Sequence, residues 1–443
     1  MNIKKNPFEE FYKRSSHKLT VPTSLQSLYL TISFFVKNDL ISYANACAFG
    51  FLFSFIPILM LIAVVLVRIL HASPDLLASI AQSSPYFESI IDLKSLIDSL
   101  SQTKTITNFE IVLGISIFFM SRRFFATVMS SMKAIFNKEV PVHSIPAQAV
   151  IILGEAILII FIATSVAAIA TFKTFFHLEL FDELESRYHG LMTAFNDKVV
   201  SVIPNILIFA VVTICYKGES RTKPSLLSCI VFSFFCTITF WGFQQLMSLF
   251  INVNRYSLVY GVLSNVIVVL MEVFFFFVFF LFYAQGLFVH QFLNKLILGE
   301  LYTLPSRDDT DLASTVRRLL FIRPDSLLER KSNIIKCTKG SYIYQEGESG
   351  KDCYYVVKGT IELSRTNNIT FIDRGGFFGE EACLLSEVRN ENARAYTDIE
   401  LVKIPESTFF DLLELNPQVS QKALAQISNY FAKFYGRSNK YPL

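Results

Sequence analysis

FFGEEACLLSEVR, residues 377–389, carries the reading of this chain. A short aromatic strand-like run stops at Gly379, one helical turn follows, and Arg389 stands nine residues after Glu380. This order suits a small anion. Backbone N–H groups at the start of a helix, with Gly379 letting the chain approach closely, favour a phosphate that Arg389 can neutralise. The carboxylate of Glu380 can meanwhile accept from a ribose hydroxyl. Around this stretch lie short β-type runs punctuated by glycine: SYIYQEGESG (341–350), CYYVVKGTIELS (353–364), ITFIDRGG (369–376) and ARAYTDIELVKI (393–404). Gly340, Gly347 and Gly359 fall where turns must reverse strands. Helical patterns over Glu406 to Leu415 and Gln418 to Tyr435 follow. The expectation is a small jelly-roll-like β-roll with flanking helices over residues 320–443.

Residues 290–319, with the polar stretch PSRDDTD, read as a linker, and what precedes them is a different regime. The chain is 52% hydrophobic and 17% charged, with 45 phenylalanines concentrated before residue 290, too apolar for an ordinary soluble protein. Apolar runs at 43–67, 109–129, 147–172, 199–216, 225–251 and 262–288 approach the ~20 residues that a helix needs to cross hydrocarbon. Residues 1–289 are therefore expected to form an all-α polytopic membrane bundle of about six spans. The second is the weakest, because Arg122 and Arg123 interrupt it, and a short or partly re-entrant helix is an alternative there.

Loop charge sets the orientation. With the N-terminus inside, 13 Lys and Arg fall in segments 1–42, 122–146 and 217–224, against seven in 68–108, 173–198 and 252–260. Both termini are thus expected in the cytoplasm of an inner-membrane protein. No cleaved signal peptide is read in the polar, basic N-terminal stretch. The seven cysteines fall in apolar spans or in the C-terminal domain, a pattern of reduced thiols and not of a disulfide framework. A net charge of +3 implies no nucleic-acid surface.

Several polar groups lie inside the apolar runs. Glu155 shares a face with Gln148, and Gly261, Asn265 and Glu272 share another. Intramembrane carboxylates are expensive, so Glu155, Asn265 and Glu272 form a candidate intramembrane polar site, with structural hydrogen bonding between helices as the equal alternative. In the first run Tyr43, Cys47, Gly50, Ser54 and Pro57 recur at helical spacing; close helix packing is the favoured account of that face, and a pathway lining the sharper one.

The cassette and its flanks, KGSYIYQEGESGKDCYYVVKGTIEL, FFGEEACLL and Arg389 followed by NENARAYTDIELVKI, resemble the cyclic-nucleotide-binding domain family. The resemblance implies that Gly379, Glu380 and Arg389, with Asn390 beside them, hold the cyclic phosphate and ribose. It also implies that the last helix folds over the base. Cyclic AMP or cyclic GMP is then the regulatory ligand, and Asn390 does not decide between adenine and guanine. Family members usually carry an apolar residue after the Gly–Glu pair and a small one two places after the Arg; here these are Glu381 and Glu391. A degenerate roll that docks a protein partner fits the same residues.

The membrane part, through ANACAFGFLFSFIPILML, IFFMSRRFFATVMSSMKAIFN and YSLVYGVLSNVIVVLMEVFFFFVFFLFYAQG, resembles the YihY/BrkB family of inner-membrane proteins. That resemblance implies an envelope-integrity or transport role. A ribonuclease reading is disfavoured because the six histidines are scattered singly, so no catalytic activity, metal or cofactor is expected. A gated cation channel lacks its repeated arginines or filter loop. A non-transporting scaffold is the alternative. Expected partners are the bilayer and a cyclic nucleotide; a homo-oligomer is left open and nucleic acid is not expected.

Overall fold

The computed structural model describes residues 21–68, 108–136, 205–218, 224–250, 262–304, 311–321, 334–365, 368–385 and 387–438. The chain divides into two units, residues 32–288 and residues 289–443, the second also taking in the segment before residue 32.

Helix α1 (Val21–Lys37) ends at a two-residue break where Asp39 adopts a φ of 50°, and α2 (Leu40–Arg68) starts at once. Then come α3 (Asn108–Phe136), α4 (Asn205–Gly218), α5 (Leu226–Phe250) and α6 (Val262–Tyr302). These helices overlap five of the apolar runs; the run at 147–172 lies outside the described residues. By length and composition, two stretches among the described residues can cross a membrane, Leu226–Met247 and Ile267–Tyr302. Arg122 and Arg123 do not break α3, which runs unbroken from Asn108 to Phe136, as a good helix former allows.

Helix α5 is turned inside out by the standard of a soluble protein. Ser228, Cys229, Ser233, Cys236 and Thr237 are buried, whereas Ile230, Phe234, Ile238 and Trp241 are exposed. Small and weakly polar residues inward with bulky apolar ones outward is the pattern of a helix facing lipid. Inside the unit the phenylalanines lock α6 to its neighbours: Phe275 lies 4.4 Å from Phe243, Phe276 meets Phe240 edge-on at 5.2 Å, and Phe277 meets Phe124 at 5.9 Å. Each such pair contributes about 0.5–1.5 kcal/mol beyond area burial. Tyr216 stacks on Phe280 and its hydroxyl donates to the Phe280 carbonyl at 2.7 Å. The small-residue face of α2 serves close packing. A Cβ on Gly50 would stand 3.4 Å from the Phe124 Cα, and Cys47 Sγ lies 3.4 Å from Ser131 Oγ.

Residues 290–302, expected in the linker, continue α6, and Leu312–Phe321 forms α7. The Glu300 carboxylate is buried and takes Nε and Nη2 of Arg317, at 2.9 and 2.5 Å, which fixes α7 against the end of α6. Phe321 is buried against Tyr29, and Gln26 donates to the Leu320 carbonyl at 2.5 Å.

The strands of the roll are β1 (Ile334–Cys337), β2 (Tyr342–Tyr344), β3 (Cys353–Lys358), β4 (Thr360–Arg365), β5 (Asn368–Asp373), β6 (Phe377–Phe378), β7 (Asn392–Ala395) and β8 (Ile399–Ile404). They pair antiparallel as two four-stranded sheets, in the orders β1-β8-β3-β6 and β2-β7-β4-β5. Inward and outward residues alternate along β4, whereas β3 is buried from Cys353 to Val357. Ile361 and Leu363 of β4 point into the core with Tyr344, Val356, Phe378, Ala393 and Leu401, while Glu362 between them does not. Between β3 and β4 the chain reverses at Gly359 with φ +87°, where any Cβ would lie 2.4 Å from the Asp398 carbonyl oxygen. The short helix α8 (Glu380–Leu385) leaves β6, and α9 (Glu406–Leu415) and α10 (Pro417–Ser438) follow β8. All seven cysteines are free thiols.

Candidate functional site

The cassette is assembled where β6 passes into α8. Gly379 holds φ +80°, and a Cβ there would stand 2.8 Å from Arg389 Nη1 and 3.4 Å from the Asp352 carbonyl, so only glycine leaves room for the guanidinium. Arg389 is placed by its own backbone. Its N–H donates to Glu348 O at 2.9 Å and its carbonyl accepts from Gly347 N at 2.7 Å, which ties it to the loop between β2 and β3.

The side chain of Arg389 is only 3% exposed. Nη1 donates to Gly379 O at 2.8 Å, Nη2 donates to Asp352 O at 2.6 Å, and the guanidinium lies over the Tyr344 ring at 4.3 Å. Nε is buried and donates to nothing among the described residues. An orphaned charged donor costs on the order of 1–3 kcal/mol, which an anion at that edge would recover. Gly350 keeps the approach open, since its missing Cβ would come 3.5 Å from Nε and Nη2.

Glu380 is buried too, and its Oε1 accepts from Gln426 Nε2 of α10 at 3.0 Å. Burial raises its carboxyl above the ordinary range, its own backbone N–H opposes this, Glu381 adds to it, and Gln426 and Lys422 oppose it. Glu391 behaves alike. Burial first, then the Glu381 and Glu380 charges, push it up to about 7, while the Tyr344 hydroxyl, 3.4 Å from Oε1, works the other way. Asn390 Nδ2 donates to Glu381 Oε2 at 3.0 Å. Gly379, Glu380, Arg389 and Asn390 thus converge, and the two glutamates that depart from the family pattern stand with them. The residues fit a cyclic phosphate through Arg389 Nε and the Gly379 cradle, with Glu381 and Glu391 adding like charge beside it.

The intramembrane set is less complete. Asn265 and Glu272 both lie on α6, where Glu272 is half-buried; Glu155 lies outside the described residues. Three partners escaped the sequence: Tyr344 beneath the guanidinium, Gln426 on Glu380, and Tyr302, whose hydroxyl donates to Gln426 Oε1. Only Tyr344 left a signal, as the inward position of an alternating strand.

An antiparallel roll with a Gly–Glu…Arg cassette, in a chain whose apolar helices suit lipid, defines a membrane protein with a cyclic-nucleotide-binding-type domain. The family model of the cyclic nucleotide-binding domain matches residues 334–416, and that of virulence factor BrkB matches residues 31–291, more than half of the chain. The chain belongs to the BrkB family. Among solved structures it is similar to the sensor domain of the transcriptional regulator DNR from Pseudomonas aeruginosa, at 17% identity over 33% of this chain and 95% of that one, with a TM-score of 0.24. It is also similar to the Thermus thermophilus catabolite activator protein, at 20% identity over 32% of this chain and 62% of that one, TM-score 0.24. A third is the N-terminal domain of a transcriptional regulator from Streptomyces coelicolor, at 21% identity over 25% and 83%, TM-score 0.21. No curated protein matches the chain.

Proposed function

We propose that this is a non-enzymatic, multi-pass inner-membrane protein of about six spans, with a transport or envelope-integrity role set by cyclic AMP or cyclic GMP bound at the roll. Both termini are cytoplasmic in this reading, as the loop charge favours. The observation that carries it is the buried Nε of Arg389, without an acceptor among the described residues, beside the Gly379 cradle. Arg389 takes the cyclic phosphate, Glu380 a ribose hydroxyl, and α10 covers the base. Binding is weaker than at a cassette without Glu381 and Glu391, because like charge beside the phosphate opposes it, by roughly 1 kcal/mol for a carboxylate that is solvent-screened at about 4 Å and by more for a buried ionised one.

Calorimetric titration of the full chain in detergent with cyclic AMP and cyclic GMP tests this, with Arg389→Ala as control. Heat that vanishes in Arg389→Ala is the expected result. No heat with either ligand at millimolar concentration overturns the sensor. A protein-docking roll is the second reading, favoured by one observation: Nη1 and Nη2 of Arg389 are already held by the chain's own carbonyls.

A further inference from the structure

We infer that the Gln426 amide competes with ligand for Glu380, and that nucleotide binding therefore releases Tyr302 at the end of α6. The inference rests on the cassette reading above. Glu380 is 8% exposed, and its carboxylate already takes its own backbone N–H and Gln426 Nε2. Glu380 opens α8, so its own N–H lies outside the helical ladder and stays beside the carboxylate wherever α10 moves. Of the two donors Gln426 is the one carried on a separate helix, and a ribose hydroxyl that takes Glu380 Oε1 displaces it.

Gln426 is not free to swing alone. Its Oε1 accepts from the Tyr302 hydroxyl, and one turn earlier on α10 Lys422 Nζ donates to the Tyr302 carbonyl at 2.5 Å. Tyr302 is itself buried, edge-on to Phe377 at 5.1 Å and to Phe409 at 5.6 Å. Phe377 begins the cassette. One amide thus joins the ribose-binding carboxylate to the last turn of a helix that starts at Val262. A side chain that merely positioned Glu380 for the ligand would have the opposite effect on affinity, so the two accounts separate by sign.

The test uses the full chain in detergent. Gln426→Met keeps the length and the packing but removes both hydrogen bonds; we expect it to tighten cyclic-nucleotide binding roughly 5- to 10-fold, the size of one ordinary net hydrogen bond. Tyr302→Phe, which unmoors Gln426 from the other side, tightens it by a smaller factor. Hydrogen exchange over residues 295–304 accelerates on adding saturating nucleotide to the wild type and is unchanged by nucleotide in Gln426→Met. Weaker binding by Gln426→Met, or exchange at 295–304 indifferent to nucleotide in the wild type, overturns the relay while the sensor stands. A wild type that binds neither cyclic AMP nor cyclic GMP overturns both.

Discussion

Glu391→Gln should stabilise the roll, and more so as pH rises. In the fold the carboxyl is pushed from its ordinary 4.5 to about 7, chiefly by burial and then by Glu381 and Glu380. A carboxylate raised in this way costs nothing below the ordinary value, where it is protonated folded or unfolded, and its cost grows from there until it is full above 7. Converted at ~1.4 kcal/mol per pH unit, the full cost is roughly 3 kcal/mol at pH 8, falling below about 1 kcal/mol at pH 5. Glutamine keeps the shape and an oxygen for Tyr344, so the substitution removes the cost without opening a cavity. Hydrogen exchange in the full chain, corrected for intrinsic rates, reads this at the Ala395 amide, which donates to Ser341 O across the roll. Opening free energies for the two proteins should differ by less than about 1 kcal/mol at pH 5 and by roughly 3 kcal/mol at pH 8. Parallel curves from pH 5 to 8 would show that Glu391 does not titrate between 4.5 and 7, and the electrostatic account of the cassette would fall.

Three further outcomes follow from particular contacts. Arg317→Ala removes two guanidinium donors from the buried Glu300 carboxylate and should weaken the joint between α6 and α7 by about 1–3 kcal/mol, seen as faster hydrogen exchange over Leu312–Phe321; an unchanged exchange rate rejects it. Gly379→Ala puts a methyl group against the Arg389 guanidinium at a left-handed backbone angle that alanine resists, and should cost about 1–3 kcal/mol of roll stability and abolish nucleotide heat. Trp241, the one tryptophan of the chain, is half-exposed on the outward face of α5; reconstituted with brominated acyl chains its fluorescence should be strongly quenched, and full emission would refute the lipid-facing assignment.

The roll was legible because its signals are local. Period-two alternation in TIELSR places Ile361 and Leu363 inside, and Gly340, Gly347 and Gly359 all adopt φ near +90° at the turns where the sequence needs them. The helix from Glu406 to Leu415 begins and ends as read, and α10 starts one residue earlier because Pro417 suits a first helical position. What was not legible is what the chain brings together from afar. Gln426 stands 46 residues from Glu380 and 124 from Tyr302, and no spacing rule links them. Helix α1 went unread for another reason. It buries Thr23, Gln26 and Thr31 and exposes Leu25, Leu28, Ile32 and Val36, so its polar residues break up an apolar count without breaking the helix. The early end assigned to the last apolar run had the same cause: His290, Gln291, Asn294 and Lys295 dilute hydrophobicity, yet all lie within α6.

The turn at Gly359 has a genetic consequence. Every single-base change in a glycine codon that alters the residue, short of a stop, supplies a Cβ. At Gly359 that atom falls on the Asp398 carbonyl and against the Thr397 hydroxyl, both fixed by the turn that leads into β8. At Gly347 the same atom meets nothing within 4 Å and only the backbone angle resists it. Codon 359 therefore offers no neutral neighbour in sequence space, and a missense scan of the roll should show a sharp gap there while codon 347 tolerates a trickle of aspartate, the single-base neighbour best able to hold a left-handed turn.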